Sequence, residues 1–157
     1  MMTEPPTTIR AQTGQPLFCY GTLQIPTVLE AVIGRSLYGI QATLPGYGAF
    51  KIRRAEYPGL FPSPFLATRG MLYRDVTIPE LQILDRFEGR LYQRRRRVIV
   101  KDNGQRAQTW VYTMAAGKSR QLTRTPWDLQ QFMQVQYRRF MKRFVTDRRA
   151  EYVQETV

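Results

Sequence analysis

The sequence contains no histidine. This absence excludes Ser-His-Asp and Cys-His catalysis, and it excludes metal sites that are ligated by histidine. Any proton transfer by this chain must therefore use a carboxylate, a lysine, a tyrosine, a cysteine or a chain terminus. The choice of a candidate acid or base is thereby narrowed to a few residue types.

Cysteine is nearly absent, since Cys19 is the one example in 157 residues. A single cysteine cannot form an intramolecular disulfide, and a structural zinc cluster is not expected. Cys19 lies in an apolar segment. We favour a buried, unreactive thiol there over a nucleophile, because a nucleophilic cysteine usually needs a neighbouring base.

Long apolar runs are also missing, and none approaches the roughly 18 residues of a membrane span. Residues 1–16 are polar, contain proline and lack the apolar core of a signal peptide. The sequence therefore predicts a cytoplasmic protein without a membrane partner, in which residues 1–16 form a flexible tail.

Acidic residues are scarce, with 12 Asp and Glu against 24 Lys and Arg, so the net charge is +12. Such a surface attracts polyanions, and nucleic acid is a possible partner that we do not favour. Arg94–Arg97 lies in a predicted strand, whose side chains alternate between two faces. A further basic cluster near the C-terminus is more typical of a solvated helix face: Arg138, Arg139, Lys142, Arg143, Arg148 and Arg149.

The pattern of strands favours one domain over residues 1–157. Apolar and alternating segments predict strands at residues 17–20, 37–52, 67–75, 92–101 and 107–114. Asp102-Asn103-Gly104 is a strong hairpin signal between the last two strands. The Pro-rich segment 57–64 is predicted to be a loop, extended or turning but not helical.

Three helices complete the expected fold, at residues 27–33, 78–88 and 125–150. Thr77 and Glu80 form the pattern of a capping box, and Gly89 is placed to end that helix. Thr125 is predicted to cap the last helix, which is basic and amphipathic. We therefore expect an α+β fold with a small mixed β-barrel or curved sheet flanked by helices.

The predicted helix 78–88 carries a carboxylate on its apolar face. At about 100° per residue, Glu88 falls in the same arc as Phe87 and the helix leucines. Burial, the negative end of the helix dipole and the charge of Asp85 would raise the pKa of Glu88, which suits acid–base chemistry near neutral pH. In the alternative, Glu88 turns outward and pairs with a neighbouring arginine.

A second feature is the turn Tyr20-Gly21-Thr22-Leu23, which follows an apolar strand and precedes a helix. Successive backbone N–H groups in such a turn can point into one concavity and bind an anion. The pattern alone favours the alternative, a plain connection in which Gly21 only permits the turn.

Short motifs in a fixed order give these features a common interpretation. Together they resemble the γ-glutamylcyclotransferase and AIG2-like family over roughly residues 17–114, the cyclotransferase-like core. The motifs are Tyr20-Gly21-Thr22-Leu23, Gly34 with Ala42-Thr43-Leu44-Pro45-Gly46-Tyr47, Tyr57-Pro58-Gly59-Leu60, Gly70-Met71-Leu72-Tyr73, and Leu84-Asp85-Arg86-Phe87-Glu88-Gly89 with Tyr92 and Arg94.

The resemblance implies a small mixed barrel with flanking helices and assigns Glu88 as the catalytic acid and base. The backbone amides of the substrate loop would hold a γ-glutamyl group: Gly21, Thr22 and Leu23. Three tyrosines would line the pocket, or alternatively pack in the core with the hydroxyl at the rim: Tyr20, Tyr57 and Tyr92.

The family reaction implied for this chain is an intramolecular aminolysis. The α-amine of a γ-glutamyl amide attacks its own γ-carbonyl and releases 5-oxoproline and a free amine or amino acid. A small γ-glutamyl compound is then the expected partner, and no metal or organic cofactor is required. Two alternatives stay open: a non-catalytic binding protein of the same fold that uses its basic surface for a polyanion, and removal of a γ-glutamyl protecting group from a larger product.

Overall fold

The computed structural model of the chain describes residues 14–145, with side chains described up to residue 143. Its strands are β1 (Gln15–Cys19), β2 (Gly39–Ile52), β3 (Pro58–Val76), β4 (Tyr92–Lys101), β5 (Arg106–Met114) and β6 (Leu122–Pro126). Its longer helices are α1 (Pro26–Ile33), α2 (Ile78–Glu88) and α3 (residues 129–145), and short 3-10 turns span Thr22–Gln24, Gly89–Leu91 and Ser119–Gln121.

Five of these strands close into a barrel. Hydrogen-bonded neighbours follow the order β3-β1-β5-β4-β2, a β2–β3 pairing completes the ring, and β6 pairs with the end of β2. The β1–β5 pair is parallel and the others are antiparallel. One buried cluster takes residues from all five barrel strands and therefore fills the interior. The predicted α+β fold with a small mixed barrel is confirmed.

The helices cover the outside of this barrel. Phe18 of β1 belongs to the interior cluster, whereas its neighbours Leu17 and Cys19 pack with the helices, as the alternation of side chains along a strand requires. Helix α2 begins with the predicted capping box, because Thr77 Oγ1 accepts from the Glu80 amide and Glu80 Oε1 accepts from the Thr77 amide. Among residues 14–145, no helix has the length and apolarity of a membrane span.

The structure corrects two boundaries near the first half of the chain. Strand β1 begins at Gln15, so Gln15 and Pro16 belong to the sheet, while residues 1–13 of the predicted tail lie outside the described residues. The Pro-rich segment predicted as a loop is the first part of β3. Prolines are tolerated there because β1 pairs with β3 only from Met71 onward, which leaves one edge of the earlier part without a β1 hydrogen bond.

The start of the last helix is also corrected. Thr125 and Pro126 end β6, which pairs with β2, so Thr125 does not cap a helix. The cap is Asp128, whose Oδ1 accepts from the amides of Gln130 and Gln131 at 2.8 and 3.2 Å. Phe132 and Phe140 anchor α3 in the core. The last five residues of the predicted helix, 146–150, lie outside the described part of the chain, as do Arg148 and Arg149.

Candidate active site

All seven residues predicted for the site line one pocket at the end of the barrel. The pocket encloses about 320 Å³ of empty space, counted out to its open mouth. Its walls include the predicted acid and the predicted substrate loop, together with the three tyrosines: Glu88, Gly21, Thr22, Leu23, Tyr20, Tyr57 and Tyr92. Residues that are 68 positions apart, from Tyr20 to Glu88, are therefore brought together.

Glu88 is the last residue of α2 and is half-buried. The buried side chains of Leu81 and Leu84 hold the apolar face of α2 against the core, and this orientation carries Glu88 into the pocket. Gly89 then ends the helix at φ 74°, and its amide donates to the Asp85 carbonyl. The pocket thus contains a carboxylate where the helical wheel predicted one.

The predicted substrate loop, residues 21–23, leads into and partly forms the 3-10 turn Thr22–Gln24. The first hydrogen bond of this turn runs from the Gln24 amide to the Gly21 carbonyl, at 3.1 Å. The amides of Thr22 and Leu23 lie before Gln24 in the chain, so this turn does not use them. A Cβ at Gly21 would lie 3.0 Å from the ring of Pro58. Gly21 therefore allows the start of β3 to approach the loop closely and close one side of the pocket.

The predicted tyrosines brace the pocket through their hydroxyls and rings. Tyr20 is buried and donates to the Tyr112 carbonyl at 2.6 Å, and Tyr92 donates to the Pro58 carbonyl at 2.5 Å. The rings of Tyr57 and Tyr92 lie 6.3 Å apart. Burial, with a further contribution from the negative charge of Glu88, raises the pKa values of Tyr20 and Tyr92, so both phenols stay neutral near pH 7.

Sequence reasoning did not identify Tyr112 and Asp85 as parts of the site. Tyr112 lines the pocket and donates its hydroxyl to Asp85 Oδ1 at 2.7 Å. Arg94 contacts the same carboxylate through Nε and Nη2, at 2.8 and 3.1 Å. The hairpin turn between β4 and β5 could have revealed this contact. Counting equal numbers of residues away from the turn along both strands places Arg94 directly opposite Tyr112.

Cys19 lines the pocket too, but its chemistry is that of a buried thiol. Burial first, and the charge of Glu88 second, raise the pKa of Cys19 well above its usual value. A thiolate is therefore disfavoured near neutral pH, in keeping with an unreactive cysteine. Within residues 14–145, no group of three or more Cys, Asp or Glu side chains is arranged to hold a metal ion.

Several arginines of the basic surface have partners in the fold. Trp110 lies beneath Arg94 and Arg96, whose guanidinium carbons are 4.2 and 4.5 Å from its ring centre. Arg97 Nε donates to the Tyr47 hydroxyl at 2.8 Å. These arginines stabilise the barrel wall next to the pocket.

Comparison with known proteins identifies the family of the chain. Residues 17–130 match the family described as gamma-glutamyl cyclotransferase, AIG2-like. AIG2-like protein A of Arabidopsis thaliana is 30% identical over 129 residues, which span 82% of this chain and 78% of that protein.

Solved structures share the fold. A solution structure from Arabidopsis thaliana has a TM-score of 0.65 at 27% identity and covers 85% of this chain and 89% of its own. A structure named gamma-glutamyl cyclotransferase has a TM-score of 0.60 at 15% identity, covers 65% of this chain and 67% of its own, and shows the likeness of fold alone. With its barrel, its pocket and a family match over most of its length, the chain belongs to the gamma-glutamyl cyclotransferase, AIG2-like family.

Proposed function

We propose that this protein is an enzyme that converts a γ-glutamyl amide into 5-oxoproline and a free amine or amino acid. The observation that supports this function best is that Glu88 and the loop of residues 21–23 line the same pocket, with neutral tyrosines around them. The family match supports cyclotransferase chemistry in general, and the proposal extends it to a reaction and to a catalytic residue.

The proposed reaction begins with substrate binding in the small pocket. The amides of Thr22 and Leu23 hold the γ-glutamyl group, and the phenols close the walls against water. Folding the substrate so that its α-amine meets its own γ-carbonyl replaces an encounter between two molecules. Positioning of this kind contributes several kcal/mol in intramolecular reactions.

Glu88 then transfers two protons in turn. Its carboxylate accepts one proton from the α-ammonium, the freed amine forms a bond to the γ-carbonyl carbon, and the protonated Glu88 gives that proton to the departing nitrogen as the original C–N bond breaks. Glu88 next takes the second proton from the ring nitrogen and passes it to the released amine, so the products are 5-oxoproline and an ammonium. An α-ammonium has a pKa of about 8 and a free glutamic acid one of about 4.3, so the first transfer is uphill by about 5 kcal/mol in water.

The first prediction concerns Glu88→Gln, which keeps the side-chain shape and removes the exchangeable proton. We expect formation of 5-oxoproline from a panel of γ-glutamyl compounds to fall at least about 100-fold, the usual loss for a general acid or base. Mass spectrometry of 5-oxoproline measures this rate. Glu30→Gln is the matched control, because Glu30 is an exposed glutamate of α1 outside the pocket.

Two results would contradict the proposal in different ways. If Glu88→Gln retains more than a tenth of the wild-type rate, Glu88 is not the acid and base. If the wild type releases 5-oxoproline from no compound in the panel, the enzymatic function itself is wrong.

A further inference from the structure

A second, larger concavity lies next to the candidate active site. It is an open groove between residues 48–50 of β2 with residues 66–69 of β3, here called the β2–β3 arm, and the start of α3. The groove has about 1270 Å³ of empty space counted to its mouth. Apolar side chains from both sides dominate its walls. These apolar walls are formed by Phe50 and Leu66 on the arm and by Trp127 and Leu129 beside it.

Tyr20 lines both the groove and the catalytic pocket. Gln24, at the end of the substrate loop, also lines the groove and donates from Nε2 to the Tyr20 carbonyl at 2.7 Å. The groove and the pocket therefore adjoin at Tyr20. The pocket is the smaller of the two concavities, so a bulky substituent on the scissile nitrogen must extend beyond it.

The walls of the groove are fixed by hydrogen bonds and packing. Trp127 donates from Nε1 to the Glu56 carbonyl and from its amide to the Ala49 carbonyl, both at 3.0 Å. Its ring also packs on Phe132 at a centroid distance of 5.7 Å. On the opposite side, a Cβ at Gly48 would lie 2.7 Å from Leu66 Cδ1, so the arm packs closely on itself. A preformed apolar wall binds a ligand without an ordering cost.

The two charged side chains of the groove already have partners. Arg69 pairs with Asp102 at 2.7 Å, and Asp128 accepts from two amides of α3. Most of the surface left for a ligand is aromatic and aliphatic, and its uncharged polar side chains are Gln24, Thr68 and Gln131. Chemistry of this kind selects an uncharged apolar body rather than an ammonium or a carboxylate.

We propose that this groove binds the amine portion of the substrate and selects γ-glutamyl derivatives of aromatic or long aliphatic amines. The proposal rests on the proposed function, since it takes the γ-glutamyl group to occupy the pocket. Leu66 and Trp127 contact the apolar body on opposite sides, while the scissile nitrogen lies near Tyr20.

The test compares two compounds that differ only in this portion, γ-glutamyl methylamide and γ-glutamyl phenethylamide. Their dissociation constants are measured by titration calorimetry on the Glu88→Gln protein, which holds substrate without fast turnover, and kcat/KM is measured on the wild type. We expect phenethylamide to bind at least about tenfold more tightly, the discrimination that an apolar pocket gives to added methylene or ring atoms.

Two groove variants on the Glu88→Gln background sharpen the comparison. Leu66 is 41% exposed and Ala67 is exposed, so Leu66→Glu and Ala67→Trp change the groove without opening the core. Each is expected to reduce the selectivity ratio between the two compounds to less than about threefold. Val98→Glu is the matched control, because Val98 is 43% exposed and does not line the groove, and it should leave the ratio unchanged.

The outcomes separate the two proposals. Equal binding of the two amides, or a ratio unaffected by both groove variants, overturns the groove assignment whether or not the enzyme turns over. A ratio that collapses only in the groove variants supports it. If binding is selective but the wild type forms no 5-oxoproline, the groove assignment stands as a ligand site and the proposed reaction fails.

Discussion

Asp85 connects the arginine-rich strand to the pocket through one carboxylate. Asp85 accepts from the Tyr112 hydroxyl and from Arg94. Tyr112 is buried and Arg94 is half-buried, so water cannot readily replace these hydrogen bonds if they are lost. We predict that Asp85→Asn and Tyr112→Phe each lower the free energy of unfolding by about 1 kcal/mol, the net value of a typical hydrogen bond. Because the two groups share that bond, their effects should not be additive.

A double-mutant cycle by urea denaturation measures this coupling. We expect an interaction energy of at least about 0.5 kcal/mol, as for residues in one hydrogen-bonded network. Arg95→Met combined with Tyr112→Phe serves as the control pair. Arg95 lies on β4, as Arg94 does, but it contacts Gln93 and not Asp85. Strictly additive losses for Asp85 and Tyr112 would show that the short distance between them contributes nothing to stability.

Helix α3 is tied to the pocket by a contact across the chain. Arg139 reaches Glu56 Oε1 through both Nε and Nη2 at 2.6 Å, and Glu56 directly precedes Tyr57 of the pocket wall. Glu56 is 8% exposed, and within the described residues its Oε2 has no hydrogen bond. The basic helix thus supplies the cation that compensates a buried carboxylate, so it is part of the fold and more than a solvated face.

We predict that Arg139→Met lowers the free energy of unfolding by about 1–3 kcal/mol, because the buried Glu56 carboxylate would lose its charged partner. Arg138→Met, at the exposed neighbouring position, should change it by less than about 0.5 kcal/mol. Urea denaturation of both variants gives the comparison. Equal effects of the two substitutions would mean that the Glu56 contact is not maintained in solution.

The same elements show what sequence reasoning reached and where it stopped. The capping box at Thr77 and the turn at residues 102–104 are local signals, and they located α2 and the β4–β5 hairpin correctly. The first part of β3 and the end of β6 depend on pairing with β2 across distances in sequence that no local pattern reports. Their residues were therefore predicted as a loop and as a helix cap.

The candidate site follows the same rule. Glu88 and the loop of residues 21–23 could be chosen from a helical wheel and from motifs, and the structure places them in one pocket. Tyr112 was not predicted, and Asp85 was predicted only as a charge near Glu88, because their contact arises from a cross-strand register and from a helix packed on it. Motifs thus identify groups that carry chemistry, while the groups that hold them need tertiary information.

At the scale of the whole molecule, the 24 Lys and Arg residues behind the net charge of +12 include arginines in ion pairs. Arg94 pairs with Asp85, Arg69 with Asp102 and Arg139 with Glu56. Exposed cations such as Arg138 and Lys142 remain on α3, away from the residues that line the pocket.

We therefore predict that nucleic acid binds this protein only through sequence-independent electrostatic contacts. Fluorescence anisotropy with two unrelated oligonucleotides of equal length should give equal binding constants. The logarithm of these constants should fall linearly with the logarithm of salt concentration, because each phosphate contact releases a counterion. Glu88→Gln should bind them as the wild type does, since the pocket is not involved. Submicromolar, sequence-selective binding near physiological salt, in a protein that forms no 5-oxoproline, would instead favour the non-catalytic binding function. Measuring both activities on one preparation decides between the two, because the pocket carboxylate and the basic helix are separate parts of the molecule.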